Sequence, residues 1–323
     1  MYQTHFRLER NPFEMSPDPY FFFATPQHRE ALAGLLYGIT ARKGFLVLTG
    51  EVGTGKSLVV QCLLDVLDRR RVVYAYVFNS LLSSDQFLHY IAEDLGVTAA
   101  PCPKNELLLR LSRHLIENHR KGLTTLVVID EAHHLDAAVL EEVRLLSNLE
   151  TPQGKLLQIA LVGQPELDDK LETRELRQLK QRITLRFRLG GLSAGETRRY
   201  VQSRLRLAGE HSGALFTAEA LEAVHRFSAG IPRLINTLCD NSMLTAYALG
   251  RRQVSADLIE EAAADLGLAP AAEARPRAAV AAAAALGPSG REPGGEHASP
   301  SASAHGDAGD IPMTCEAEHE PDL

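Results

Sequence analysis

Lysine, hydroxyl and carboxylate side chains sit in this sequence at spacings that suit one task, the handling of a phosphate chain. The run Gly50-Glu51-Val52-Gly53-Thr54-Gly55-Lys56-Ser57 fits G-x-x-x-x-G-K-[ST] without a gap. Gly50, Gly53 and Gly55 let the backbone curl so that several N–H groups point inward at one phosphate chain. A helical pattern opens at Leu58, so the cradle spans Gly50 to Leu58 and gains the positive end of a helix dipole. Lys56 supplies a cation for β- and γ-phosphates, and Ser57 a hydroxyl for the Mg²⁺ that bridges the same oxygens.

Asp130-Glu131 closes a nearly unbroken apolar run, Thr124 to Ile129. In an open parallel sheet ligands sit beyond the carboxyl ends of the strands, which places this pair beside the glycine loop. Asp130, at the strand end, is the expected Mg²⁺ ligand, usually through water; Glu131 points the other way and suits a base that polarises the attacking water. Asn79 ends another apolar run and reads either as a hydrogen-bond partner that restrains Glu131 or as a turn residue. Gln164, after Val162-Gly163, reads either as a contact to the γ-phosphate or lytic water or as a turn residue. Arg233 opens a late helix and can report the γ-phosphate to it. Arg182 is the expected arginine finger for a neighbouring subunit's nucleotide, with Arg174 and Arg177 as rivals. His133-His134 has no cysteine or further acid at ligand spacing and reads as surface or packing. Arg69 to Arg71 and the arginines from Arg198 to Arg206 read as solvated faces.

The elements that must position these groups alternate. Strands are expected at Gly44–Thr49, Val72–Phe78, Thr124–Ile129, Leu156–Val162 and Ile183–Phe187, and helices at Gln27–Ile39, Leu58–Leu67, Ser84–Leu95, Lys104–Arg120 and Ala137–Leu149. Apolar strands alternating with helices predict a parallel sheet covered on both faces, a P-loop α/β fold. From Leu192 only helices follow: a capping box at Ser193 and Glu196, N-caps at Thr217 and Ser255, and Pro232 in the first turn of a third helix. Residues 1–26 are rich in Phe and Pro, which predicts an irregular arm whose rings either pack on the body or close over an adenine. Residues 269–323 collapse to Ala, Pro, Gly, Ser and Glu and are expected to be disordered. The expected division is an arm over 1–26, a nucleotide-binding domain over 27–191, a helical lid over 192–268 and the tail.

Net charge is −7 over 323 residues, which argues against a nucleic-acid or membrane-surface protein. The four cysteines form no C-x-x-C pair, the first ten residues lack a signal-peptide pattern, and no apolar run reaches the ~20 residues of a bilayer span. These observations predict a cytoplasmic chain without a membrane span.

Taken together the motifs resemble those of AAA+ ATPases and, more closely, the general secretion pathway protein A group with its shorter relatives of pilus and exosortase loci. The matching segments are Asn11-Pro12-Phe13 with Pro17-Asp18-Pro19, Gly50 to Ser57, Ile129 to Ala132, Leu145 to Thr151, Leu161 to Leu167 and Gly230 to Asn236, within residues 1 to about 265. The resemblance implies sheet order 5-1-4-3-2, ATP as nucleotide, and a homo-oligomer with composite sites. It also implies the Walker A role for Lys56 and Ser57, Walker B for Asp130 and Glu131, sensor 1 near Gln164 and sensor 2 at Arg233. The chain departs from the group at His133, where Gln is common, and at Ser57, where Thr is common. Full-length secretion proteins of the group continue into a membrane helix and a peptidoglycan-binding domain, neither of which is expected here, so the ATPase carries over and the secretion role does not follow with it. The expected function is a Mg²⁺-dependent ATPase that remodels or assembles a protein partner in secretion, pilus or exopolysaccharide export. The rival is an ATP-loaded switch with slow hydrolysis that recruits a partner, as in transposition.

Overall fold

The computed structural model describes residues 2–16, 18–68, 71–78, 82–97, 102–152 and 154–270. Asn79 and the tail expected to be disordered lie outside the described residues. Among the described residues seven strands and twelve α-helices follow in the order α1 (Tyr2–Phe6), α2 (Pro26–Thr40), β1 (Phe45–Gly50), α3 (Lys56–Asp68), β2 (Val72–Val77), α4 (Ser84–Asp94), α5 (Lys104–Arg120), β3 (Thr124–Ile129), α6 (Ala137–Leu146), β4 (Glu150–Thr151), β5 (Gly154–Lys155), β6 (Leu157–Gly163), α7 (Pro165–Leu171), α8 (Arg177–Lys180), β7 (Ile183–Leu189), and then α9 (Ala194–Leu207), α10 (Ala218–Ser228), α11 (Pro232–Ala248) and α12 (Ala256–Asp265).

The five long strands form one sheet in the order β2-β3-β6-β1-β7, with every pairing parallel. Counting long strands alone, this is 5-1-4-3-2, the order the resemblance implied. β1 and β6 are buried at every position, because both have a strand on either side and helices on both faces. The period of two divides their side chains. Phe45, Val47, Val127, Ile129, Ile159 and Leu161 face a core shared with α4 to α8, whereas Leu46, Leu48, Leu126, Val128, Ala160 and Val162 face α2 and α3. Gly34 lets α2 lie close on the edge strand β7: a Cβ there would stand 2.1 Å from Phe187 Cζ.

A third core belongs to α9 to α12 and includes three residues from the chain's start, Phe6, Leu8 and Phe13. Ser193 and Thr217 cap α9 and α10 through their hydroxyls, whereas Ser255 holds the N-cap position of α12 without a capping bond.

Three local expectations are corrected. The arm is not wholly irregular: α1 forms before the first proline and a 3-10 turn covers Pro19–Phe21, capped by Asp18. The helix expected to reach Leu149 ends at Leu146, where Ser147 Oγ donates back to Arg144 O and a two-strand hairpin, β4–β5, follows. Short helices α7 and α8 fill the span between β6 and β7 that had no assignment. Among the described residues no helix is long and apolar enough to cross a membrane.

Candidate functional site

The glycine loop joins β1 to α3 at the carboxyl end of the sheet. Gly53 and Gly55 have φ of +82° and +100°, which side-chain-bearing residues rarely adopt. Space excludes a side chain at 53, where a Cβ would lie 2.3 Å from Arg233 Cβ, and is tight at 55, where one would lie 3.0 Å from His28 Nε2. The loop is braced from within. Thr54 N–H and Oγ1 both donate to Glu51 O, at 3.3 and 2.8 Å. Lys56 Nζ donates to Gly50 O and Glu51 O at 2.7 and 3.0 Å. The backbone N–H groups of Gly55, Lys56, Ser57 and Leu58 have no backbone acceptor among the described residues, as expected of a helix's first turn. Ser57 is exposed.

Lys56 is buried, and burial pushes its ammonium below the ordinary lysine range; the charges of Glu131, Asp130, Glu51 and Glu166 oppose that shift. The loop's cation and the acidic pair therefore share one electrostatic environment. Asp130 N–H extends the β2–β3 ladder by donating to Val77 O at 2.9 Å. Its carboxylate is held at both oxygens: Oδ2 accepts from Tyr76 Oη at 2.7 Å and Oδ1 from Glu131 N–H at 2.8 Å. Burial first, and Asp130 next, raise the Tyr76 pKa, so the phenol stays a donor.

Glu131 has φ of +49°, an uncommon conformation for a residue with a side chain, and leads into a 3-10 turn over Ala132–His134. The strained turn directs its carboxylate away from that of Asp130 into a second set of contacts. Oε2 lies 3.5 Å from the donating Gln164 Nε2 and 3.3 Å from His133 Nδ1. Gln164 N–H donates to the same His133 nitrogen at 3.4 Å. Burial, and His134 beside it, hold His133 below the usual histidine pKa. Lys170 on α7 clamps the turn by donating to His133 O at 2.5 Å and Leu135 O at 2.8 Å.

Arg233 meets the loop at its backbone, N–H donating to Gly53 O at 3.2 Å, while the residue itself remains exposed. The structure thus brings Gly50 to Leu58, Asp130, Glu131, Gln164 and Arg233 to one end of the sheet. Arg182 is elsewhere: its Nη1 donates to Ser147 Oγ at 2.7 Å, near Glu141 and Glu150, while Arg174 and Arg177 are exposed.

Sequence reasoning missed Tyr76, His28, His133 and Lys170 as parts of this site. His133 was read as surface or packing; its side chain is 7% exposed and packs on Glu131 itself. Its place two residues past Glu131 was the available signal. For the other three the chain carries none, because each reaches the site from an element distant in sequence. Glu131, His133 and His134 also bring metal-type donor atoms within 4.8 Å of one another, with His133 Nδ1 already engaged by Gln164 N–H.

The donor set fits a nucleotide and its metal. Asp130 and Ser57 offer the hard oxygens that Mg²⁺ takes, and the first-turn N–H groups with Lys56 offer what a triphosphate takes.

A family model described as an AAA domain matches residues 39–171. General secretion pathway protein A of Aeromonas hydrophila is 44% identical over 255 residues, covering 79% of this chain and 46% of that protein. The chain therefore spans about half that relative's length. The ATP-dependent target DNA activator B of Escherichia phage Mu is 25% identical over 260 residues, covering 78% of this chain and 75% of that protein. Among solved structures, the Aeropyrum pernix ORC2 protein in ADPNP–ADP complexes superposes with a TM-score of 0.58 at 18% identity, over 80% of this chain and 72% of that one, a likeness of fold.

Proposed function

The chain belongs to the AAA+ P-loop family, in the group similar to general secretion pathway protein A, and from that premise we propose that it binds ATP with Mg²⁺ and hydrolyses it. The observation that carries the reading is the placement of Lys56 in the field of Asp130 and Glu131, with both carboxylates oriented by separate hydrogen bonds. Lys56 and the loop N–H groups hold the phosphates; Ser57 and Asp130 hold the metal. When bound, Mg²⁺ neutralises charge on the β- and γ-oxygens. Glu131 accepts the proton of the attacking water as the γ-phosphoryl leaves ADP. Gln164 orients Glu131 and the water. Arg233, opening α11 against Gly53, passes the state of the loop to the lid helices. Arg182, or its rivals Arg174 and Arg177, serves a neighbouring copy in a homo-oligomer. The work done is remodelling or assembly of a protein partner in secretion, pilus or exopolysaccharide export, within the cytoplasm.

Glu131→Gln and Lys56→Ala test this reading. The first keeps ATP bound and lowers turnover by about 10²- to 10⁴-fold. The second weakens binding itself by about 10- to 100-fold, the loss of a charge-assisted contact. Unchanged turnover in Glu131→Gln removes Glu131 as the base. The phage Mu relative favours a second reading, an ATP-loaded switch with slow hydrolysis that recruits its partner on DNA. A salt-dependent gel shift with plasmid DNA, present with ATP and lost with ADP, selects it over the first.

A further inference from the structure

His28 lies outside the phosphate-binding motif, 26 residues before Thr54, yet its imidazole touches the loop from beneath: Nε2 is 2.9 Å from Thr54 O. A carbonyl only accepts, so Nε2 carries the proton. The opposite nitrogen is then an acceptor, and its surroundings agree. Nδ1 receives Thr25 Oγ1–H at 2.6 Å and Thr25 N–H at 3.3 Å, while Thr25 Oγ1 in turn accepts His28 N–H at 3.3 Å. Thr25 and His28 are both buried, at 4% and 5% exposure, so this set is sheltered from competing water. Burial holds the ring below the usual histidine pKa and keeps it neutral, the one form that satisfies every contact.

The consequence follows from peptide geometry. A trans peptide is planar, with its C=O and N–H pointing opposite ways, and no peptide among the described residues is cis. Thr54 O and Gly55 N–H belong to one peptide. Drawing the carbonyl toward α2 therefore turns Gly55 N–H away from α2. Like the N–H groups of Lys56 and Ser57, it has no backbone acceptor among the described residues. The preceding peptide is held likewise, Gly53 O accepting Arg233 N–H at 3.2 Å. With φ of +100° and no side chain, Gly55 would otherwise turn freely.

We propose that His28 is a positioning residue for phosphate binding: its Nε2–H holds the Thr54 carbonyl outward so that Gly55 N–H faces the β-phosphate region of a nucleoside di- or triphosphate. The proposal rests on the nucleotide reading above. It also gives the aromatic arm a route to the site, since Phe22 packs edge-on against His28 with centroids 5.8 Å apart.

Two substitutions separate this role from helix capping. In His28→Gln the amide nitrogen reaches where Nε2 stood and can donate to Thr54 O. In His28→Asn the shorter amide keeps the Thr25 contacts and falls short of Thr54. Calorimetric titration of the 323-residue chain with ATP–Mg²⁺ and ADP–Mg²⁺, alongside Lys56→Ala, decides. The expected result is binding about five- to tenfold weaker for both nucleotides in His28→Asn, the worth of one net hydrogen bond, and near wild type in His28→Gln. Wild-type binding in His28→Asn, or equal losses in both variants, overturns the proposal. Should His28→Asn fail to fold, the imidazole ¹⁵N spectrum of the wild type decides instead. A neutral Nε2–H ring whose signals move on adding ATP–Mg²⁺ supports the role, and an Nδ1–H ring or an unmoved one overturns it. A wild type that binds no nucleotide sinks the nucleotide reading as a whole. Loss in Lys56→Ala with none in His28→Asn sinks only the role of His28.

Discussion

Tyr76 and Lys170 show how an acidic pair is positioned by residues distant from it in sequence. Asp130 and Glu131 are adjacent in sequence, yet each meets its own set of donors: Tyr76 and a backbone N–H for the first, Gln164 beside His133 for the second. Tyr76→Phe removes one oriented donor and leaves packing intact. Turnover is expected to fall about tenfold, the usual cost of losing a group that orients a metal ligand, with affinity for ATP in the absence of Mg²⁺ unchanged. Paired titrations with and without Mg²⁺ check it; equal losses in both would place the effect in folding. Lys170→Met releases His133 O and Leu135 O and is expected to lower kcat while leaving KM for ATP near wild type. Steady-state kinetics at saturating nucleotide read that split.

At the scale of elements, the loop keeps its shape because α2 and α11 grip it from outside. α2 lies on β7 and β1 through glycine, with Gly34 against Phe187 and Gly38 against Leu46. Gly34→Ala places a methyl within 2.5 Å of Phe187 ring atoms. It is expected to destabilise the fold by about 1–3 kcal/mol through overpacking. Adding Phe187→Ala should return part of that loss, which chemical denaturation of the single and double variants measures. α11 begins with Pro232 and Arg233 directly on Gly53, so helix start and loop turn specify each other's position.

Across the described residues the arm and helices α9 to α12 fold around one core. Phe13 is fully buried with its ring 6.0 Å from Phe216, and the buried Arg204 stacks on Phe21 at 4.6 Å. Arg204 is thus an anchor for the arm, not a member of a solvated basic face. Phe13→Ala is expected to cost about 3–5 kcal/mol and to lower the melting temperature, read by calorimetry. Stability should also depend on pH. His28, His133 and His225 are each held below the ordinary histidine pKa, chiefly by burial. As pH falls below about 6.5 the unfolded chain takes up protons that the folded chain refuses, so stability is complete above that value and is lost below it. Melts from about pH 7.5 to 5.5 should show this decline, with a shallower slope in His28→Gln.

Local chemistry was written in the chain itself. A glycine spacing that only a phosphate loop needs, apolar runs ending in Asp130-Glu131, and hydroxyls at Ser193 and Thr217 act within a few residues, so the strands, their order by resemblance, and the core of the site were legible before any coordinates. The hairpin at Glu150–Lys155 and the short helices after β6 were not, because two to seven residues carry too little periodicity to be read. Tyr76, His28 and Lys170 escaped for a different reason: they come from β2, α2 and α7, and sequence does not say which long-range neighbours a buried donor will find. Only packing decided that Glu131 meets His133 and Gln164, that Arg204 serves the arm, and that one imidazole from α2 holds a peptide of the phosphate loop. Hydrogen bonds are short and directional, so their partners are chosen by the position of whole elements, and that position is set by the cores.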